Sequence, residues 1–224
     1  MNNSIHFSKT QIEFGSLLSY SPHGDSNPEK QSKTIMKILK SDEYYPVHSG
    51  KHILMSELIS DTIMKKMALL PFSNFFKTDP ILVPVPNSSF MKSETLWVPQ
   101  RIAKSLVQNG LGKEVIECLK RVKPLPKAAT SSPERRPKAA QHLDSLEVLK
   151  ILSEHEEILL IDDIVTRGTT LFAAVNKLAK DFPKAHILAF AAMRTISPPF
   201  VFKAIYDPCI GTITINGNDT FRRP

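Results

Sequence analysis

Two adjacent aspartates, Asp162 and Asp163, precede a short turn of residues that can bind an anion. A helix N-terminus presents unpaired N–H groups and a positive dipole end, and glycine lets an anion approach the backbone closely. Two carboxylates beside that turn would repel a polyanion, so we assign them to neutral donors such as the hydroxyls of ribose. These residues therefore predict a sugar-phosphate site. The residues that would hold the phosphate are Thr166, Arg167, Gly168, Thr169 and Thr170.

An apolar run and a helix must position these groups. Residues 158–161 are Ile-Leu-Leu-Ile, which is typical of a strand buried on both faces of a parallel sheet. After the turn, Leu171, Val175 and Leu178 recur at helical spacing and predict a helix that packs on the sheet. A further apolar strand is predicted at residues 186–193. Ligands of such sheets bind beyond the carboxyl ends of the strands, where the aspartates and the turn lie.

The same alternation of elements extends toward the N-terminus. Residues 81–85 form a short apolar, β-branched run and predict a buried strand that leaves the sheet through a turn. Helical spacing predicts helices over residues 55–70 and 97–110, and residues 115–122 form a further candidate strand. Together these elements predict an α/β fold with a doubly wound, Rossmann-like parallel sheet.

The chain divides into three predicted parts. Residues 1–60 have weak periodicity and are assigned to an N-terminal extension. Residues 61–196 form the predicted core, and residues 197–224 form a C-terminal tail with a hairpin around residues 211–217.

Length, charge and cysteine content limit the possible functions. A chain of 224 residues can bury one substantial core. Its formal charge of +7 favours an anionic partner, which could be a phosphorylated small molecule, a nucleic acid or both, although solubility alone also explains the charge. No apolar run approaches the length of a membrane span, and two distant cysteines support no disulfide framework, so we expect a cytoplasmic protein.

Residues 158–170 resemble the phosphoribosyl diphosphate (PRPP) binding motif of type I phosphoribosyltransferases. They supply an apolar strand, two acids, two apolar residues and a loop of threonine and glycine. Residues 82–89, Leu-Val-Pro-Val-Pro-Asn-Ser-Ser, are similar to the strand and pyrophosphate loop of the ComF-like branch of this family. The resemblance covers roughly residues 80–195. It implies a core sheet of the type I phosphoribosyltransferase kind, with a variable hood drawn from the N-terminal residues, the tail or both.

The resemblance also implies an activity and roles for the residues. It implies binding of PRPP or a nucleoside monophosphate, with transfer of the phosphoribosyl group to a nitrogen acceptor and release of pyrophosphate. Asp162 and Asp163 would be the catalytic pair that orients the ribose, and Mg²⁺ would be a cofactor that binds through PRPP and has no direct protein ligands. Pyrophosphate would lie against Asn87, Ser88 and Ser89, which lack the basic residue common in that branch.

The irregular segment from residue 121 to residue 141 is rich in proline and basic residues. It resembles the mobile loop that closes over the reacting centre in the family. A solvated basic loop, or one that binds nucleic acid, explains the same composition equally well. The basic residues assigned to this flexible loop are Arg121, Lys123, Arg135 and Arg136.

A second hypothesis places the chain in another functional class. The fold could keep its sugar-phosphate pocket but act as a regulator or effector that binds nucleic acid or a protein partner, for example in retron-type antiviral defence. The +7 charge, the basic segment and the unusual pyrophosphate loop favour this alternative. Under either hypothesis we expect a homo-oligomer or a complex with other subunits. The P-loop and dinucleotide-binding motifs, which would indicate other enzyme classes, are absent from the sequence.

Overall fold

The computed structural model describes residues 7–47, 50–90, 94–126, 136–149 and 157–224. In chain order the elements are β1 (Gln11–Tyr20), α1 (Asn27–Ser41), β2 (Tyr44–Pro46), β3 (His52–Leu54), α2 (Met55–Lys66), α3 (Asn74–Lys77), β4 (Ile81–Pro84), α4 (Val98–Gln108), β5 (Glu114–Val115), β6 (Leu119–Arg121), α5 (Ala139–Asp144), β7 (Leu146–Val148), β8 (Glu157–Val165), α6 (Thr169–Asp181), β9 (His186–Thr195), β10 (Tyr206–Asn216) and β11 (Asp219–Arg223).

Seven strands form the central sheet in the order β11-β10-β1-β9-β8-β4-β5. Five neighbouring strands, β1, β9, β8, β4 and β5, run parallel to one another. Strand β10 is antiparallel to β1, and β11 is antiparallel to β10. Helix α6 packs into one hydrophobic cluster, and α2 and α4 pack into the other. The predicted α/β fold with a doubly wound, mostly parallel sheet is therefore confirmed.

Strand β8 lies at the centre of this packing. Ile158 and Leu160 belong to the cluster that contains α6, whereas Leu159 and Ile161 belong to the cluster that contains α4. All four side chains are buried, because helices cover the sheet on both faces. This is why the strand is uniformly apolar and does not alternate between apolar and polar residues.

The N-terminal residues take a different place from the predicted one. Strand β1, which we assigned to an extension before residue 61, lies inside the central sheet between β9 and β10. Phe14 and Leu17 are buried there, one in each hydrophobic cluster. Residues 11–20 thus belong to the core sheet, because β1 supplies side chains to both of its faces.

Two further segments also differ from or extend the expectations. The candidate strand at residues 115–122 is divided, because β5 pairs with β4 whereas β6 pairs with β7 in a separate two-stranded sheet. The C-terminal residues form an antiparallel hairpin, β10–β11, and Gly217 in its turn has a φ of 58°. No helix within the described ranges has both the length and the apolar composition needed to span a bilayer.

Candidate functional site

The loops that follow β4 and β8 leave the same edge of the sheet. The two strands are adjacent and parallel, with Pro84 opposite Ile161, and the Val85 N–H donates to the Ile161 carbonyl over 2.9 Å. We call residues 85–90 the β4 loop and residues 166–170 the β8–α6 turn. The structure therefore brings together the two segments in which the sequence predicted binding residues.

The two aspartates lie in the last residues of β8, which continues to Val165 beyond the predicted strand end. Asp163 is buried and Asp162 is half-buried. Each carboxylate accepts a hydrogen bond from the following backbone N–H, Asp162 from that of Asp163 at 2.9 Å and Asp163 from that of Ile164 at 2.6 Å. The Asp163 carboxylate also pairs with the Lys40 ammonium of α1 over 2.8 Å.

The charges of this cluster influence one another. Burial and the neighbouring Asp163 carboxylate raise the pKa of Asp162, and Lys40 offsets part of that rise. Burial lowers the pKa of Lys40, but Asp163 and Asp162 raise it by more, so the net shift is upward. Asp162 therefore retains a proton more readily than a surface aspartate does, while Lys40 stays charged.

The β8–α6 turn has the geometry of an anion site. Gly168 precedes the first residue of α6 with a φ of 80°, and a Cβ atom there would lie 2.3 Å from Ile213 Cδ1. Only glycine fits without strain. The backbone N–H groups of Gly168, Thr169 and Thr170 find no acceptor within the described residues. They are the orphan donors of a helix N-terminus, which favour an anion.

Side chains of the hairpin β10–β11 hold this turn in place by contacting the carbonyl groups and side chains of the turn. Arg222 Nε donates to the Thr166 carbonyl over 2.7 Å, and Thr220 Oγ1 donates to the Arg167 carbonyl over 3.1 Å. The Thr169 hydroxyl lies 2.8 Å from that of Thr220, and the Thr166 hydroxyl lies 2.9 Å from that of Thr195. The predicted hydroxyl donors Thr166 and Thr169 are therefore already engaged, whereas the N–H groups of Gly168, Thr169 and Thr170 have no acceptor among the described residues.

Arg167 and Thr170 contact residues that the sequence did not predict. Arg167 pairs with the Asp219 carboxylate, which also accepts from Lys138 Nζ over 3.2 Å. The Thr170 hydroxyl lies 3.4 Å from Nδ1 of His142, a buried residue of α5. Burial, together with the charges of Arg121 and Arg167, lowers the pKa of His142 to about 4. A neutral imidazole therefore stands beside the turn at neutral pH.

Arg121 is not a residue of a flexible loop. It lies in β6 with 3% of its surface exposed, and its guanidinium donates to the Asn87 carbonyl over 3.1 Å and to the Pro86 carbonyl over 3.4 Å. Burial lowers the pKa of Arg121 to about 10, and Asp162 acts in the opposite direction. Arg121 therefore stays charged and holds the β4 loop from beneath. Trp97 Nε1 adds a hydrogen bond of 2.8 Å to the Val85 carbonyl.

The remaining predicted residues are more open. The Asn87 amide donates to the Leu96 carbonyl over 3.2 Å, whereas the Ser88 and Ser89 hydroxyls have no partner within the described residues. Lys123 is exposed, Arg136 is half-buried, and Arg135 lies outside the described residues.

Lys40, His142 and Arg222 reach this edge from distant parts of the chain. Their neighbours in sequence carry no motif, so no local signal could have marked them.

Comparisons with known proteins place two phosphoribosyltransferases among similar structures. No protein-family model and no curated protein matches the chain. The adenine phosphoribosyltransferase of Saccharomyces cerevisiae, solved with an imino-altritol bisphosphate and adenine, is 15% identical over 72% of this chain and 89% of its own, with a TM-score of 0.33. A hypoxanthine phosphoribosyltransferase of Staphylococcus aureus is 16% identical over 67% of this chain and 80% of its own, with a TM-score of 0.34.

Proposed function

We propose that this chain binds the ribose-5-phosphate part of PRPP or of a nucleoside monophosphate. We further propose that it transfers the phosphoribosyl group to a nitrogen acceptor and releases pyrophosphate. One observation carries the proposal: the β4 loop and the β8–α6 turn follow adjacent parallel strands, and side chains of the protein donate hydrogen bonds to the backbone carbonyls of both segments. We infer that both segments direct donors toward a shared ligand space, which suits a ligand with an anion at each end.

The β8–α6 turn would bind the 5′-phosphate. The N–H groups of Gly168, Thr169 and Thr170, unpaired within the described part of the chain, would donate to its oxygens, and the helix dipole would stabilise its charge. The Arg167 charge would add to this stabilisation, although it is shared with Asp219. The hairpin would keep the turn in shape before the ligand arrives, which lowers the entropic cost of binding.

Asp162 and Asp163 would hold the ribose hydroxyls. Lys40 fixes one carboxylate oxygen of Asp163, so the position of the Asp163 side chain is set before a ligand binds. Asp162, with its raised pKa, would ionise when positive charge or hydroxyl donors come close. The two carboxylates can thus accept hydrogen bonds from two neighbouring hydroxyl groups.

The residues of this edge fit a magnesium ion that arrives with the substrate. Within the described residues, no three histidine, cysteine, aspartate or glutamate side chains are grouped as metal ligands. Asp162 and Asp163 offer at most two carboxylates, and one of these is paired with Lys40. Magnesium commonly binds one or two carboxylates together with phosphate oxygens. When bound, the ion would offset the charge of the diphosphate.

The proposed chemistry depends mainly on positioning. The ribose C1′ gains positive character as the bond to pyrophosphate breaks, and the leaving group gains negative charge. The hydroxyls of Ser88 and Ser89, which have no partner among the residues that the structure describes, would donate to the leaving pyrophosphate, while Arg121 holds their loop in place. The acceptor nitrogen would approach C1′ from the open side of the edge, opposite the leaving group.

Ligand-induced stabilisation tests the proposal. PRPP with Mg²⁺ should raise the melting temperature of the protein, because a ligand stabilises the folded state that it binds. Asp163→Asn should reduce that rise, whereas Asp181→Asn, an exposed change at the far end of α6, should not. Incubation with PRPP and purine or pyrimidine bases should then release pyrophosphate. If PRPP stabilises the wild type and Asp163→Asn equally, the assigned role is wrong.

The regulator or effector hypothesis gives a different result in the same assays. It requires that no base leads to pyrophosphate release while a salt-dependent complex with nucleic acid forms.

A further inference from the structure

Two arginines are buried side by side behind the β8–α6 turn. Arg194, near the end of β9, is 3% exposed, and Arg222 of β11 is 7% exposed. Arg194 Nη1 donates to the Ser16 hydroxyl over 3.0 Å, and Arg194 Nη2 pairs with the Asp207 carboxylate. Arg222 donates through Nε to the Thr166 carbonyl and through Nη2 to a second carbonyl at the end of β9.

Neither guanidinium is fully satisfied. Arg194 Nε and Arg222 Nη1 are buried donors that have no acceptor among the described residues. Leaving a buried donor unpaired costs about 1–3 kcal/mol, and more for a charged group. The structure thus contains two buried donors whose cost an additional acceptor would remove.

The charges of the cluster are also unbalanced. Asp207 is the one carboxylate within the described residues that forms an ion pair with either arginine. Burial and the positive charge of Arg194 lower the pKa of Arg222 to about 10, so the two guanidinium groups repel each other. A bound anion would offset this repulsion as well as accept the unused hydrogen bonds.

We propose that the pair formed by Arg194 and Arg222 binds an oxyanion of the phosphate class, at a site separate from the N–H groups of α6. Each guanidinium would donate one charge-assisted hydrogen bond to a phosphate oxygen, because the two unused donors belong to two different arginines. Cys209 lies beside this pair: it is half-buried, and its sulfur is 3.5 Å from the Ser16 hydroxyl to which Arg194 donates. The ligand is either free inorganic phosphate or the phosphate group of a nucleotide.

Cys209 provides a readout that is specific to this site. An alkylating reagent must reach the Cys209 sulfur, which contacts the same Ser16 hydroxyl as Arg194 does. An anion held by the arginines would hinder access to this sulfur. The other cysteine, Cys118, is buried, so alkylation of the native full-length chain reports on Cys209. We expect inorganic phosphate to slow the alkylation more than sodium chloride does at equal ionic strength.

Conservative variants test which residues hold the anion. Arg222→Lys keeps the charge but removes the fork, so the phosphate concentration for half-protection should rise about tenfold, the equivalent of one charge-assisted hydrogen bond. Arg223→Lys, an exposed change at the next position, should leave that concentration unchanged. Thr170→Val should also leave it unchanged, because Thr170 belongs to the β8–α6 turn and not to this pair. Arg194→Lys serves as the second variant if Arg222→Lys does not fold.

The outcomes separate the proposal from its alternatives. Protection by adenosine monophosphate at lower concentration than by inorganic phosphate identifies a nucleotide as the source of the anion, and the reverse order identifies free phosphate. Equal alkylation rates in phosphate and chloride would overturn the proposal, because the donors would then be satisfied without an anion. A half-protection concentration that changes in Thr170→Val but not in the arginine variants would also overturn it.

Discussion

Replacement of His142 by glutamine tests how the buried imidazole beside the candidate site makes the stability of the fold depend on pH. The imidazole is 5% exposed, and its pKa of about 4 lies below the ordinary value of 6.5. The folded protein therefore binds this proton less well than the unfolded chain does, so protonation favours unfolding. The contribution of the neutral His142 ring to folding stability is complete above about pH 6.5 and is lost as the pH falls toward about 4. The linkage between proton binding and folding predicts that the free energy of unfolding falls by about 2 kcal/mol at about pH 5 and by about 3 kcal/mol near pH 4.

The measurement is a series of thermal denaturations, followed by circular dichroism from about pH 8 to about pH 5 at constant ionic strength. His142→Gln removes the titrating ring but keeps a polar side chain toward Thr170, so the variant should lose about 2 kcal/mol less than the wild type. For a protein of this size, that difference corresponds to roughly 4–8 °C in melting temperature. The exposed His186→Gln variant controls for the loss of a histidine. Parallel profiles for wild type and His142→Gln would refute the argument.

Three further predictions concern the same edge of the sheet. Binding of PRPP with Mg²⁺ near pH 7 should release a proton from Asp162, whose pKa is raised; calorimetry in buffers of different ionisation enthalpy should detect it, and Asp162→Asn should abolish it. Gly168→Ala should destabilise the fold by about 1–3 kcal/mol in urea denaturation, and by less in an Ile213→Val background, because the added Cβ meets the Ile213 side chain. The fluorescence of Trp97, the sole tryptophan, should report pyrophosphate binding. Arg121→Lys should weaken that binding about tenfold, because it releases the β4 loop. Equal affinities of the wild type and the variant for pyrophosphate would contradict this role of Arg121.

The central part of the fold could be predicted because its signals are local. The apolar run of β8 and the helical spacing of α6 each lie within a few residues, and the turn between them carries its own glycine. Strand β1 offered no such signal, because Ser16 and Ser19 interrupt its apolar pattern although both are buried. Its partner β10 lies almost at the other end of the chain, and local periodicity cannot reveal that pairing.

The residues of the candidate site also divide into those that local sequence could predict and those that only the fold brings together. Asp162, Asp163 and the turn are contiguous, so their chemistry could be inferred from spacing. Lys40 and His142 reach them from α1 and α5, and only the folded chain brings them near. Arg121 shows the opposite failure, because a basic residue beside prolines suggests a mobile surface loop. In the structure its charge is buried and serves to hold backbone carbonyls.

The pairing of β1 with β9 and β10 has a consequence for biosynthesis. On a ribosome, β1 leaves the exit tunnel long before the two strands that flank it have been made. Until residues 186–216 emerge, the apolar side chains of β1 in a nascent chain have neither of the strands that flank β1 in the folded sheet. Since β11 follows still later, the turn before α6 acquires its brace only after both strands of the hairpin have emerged.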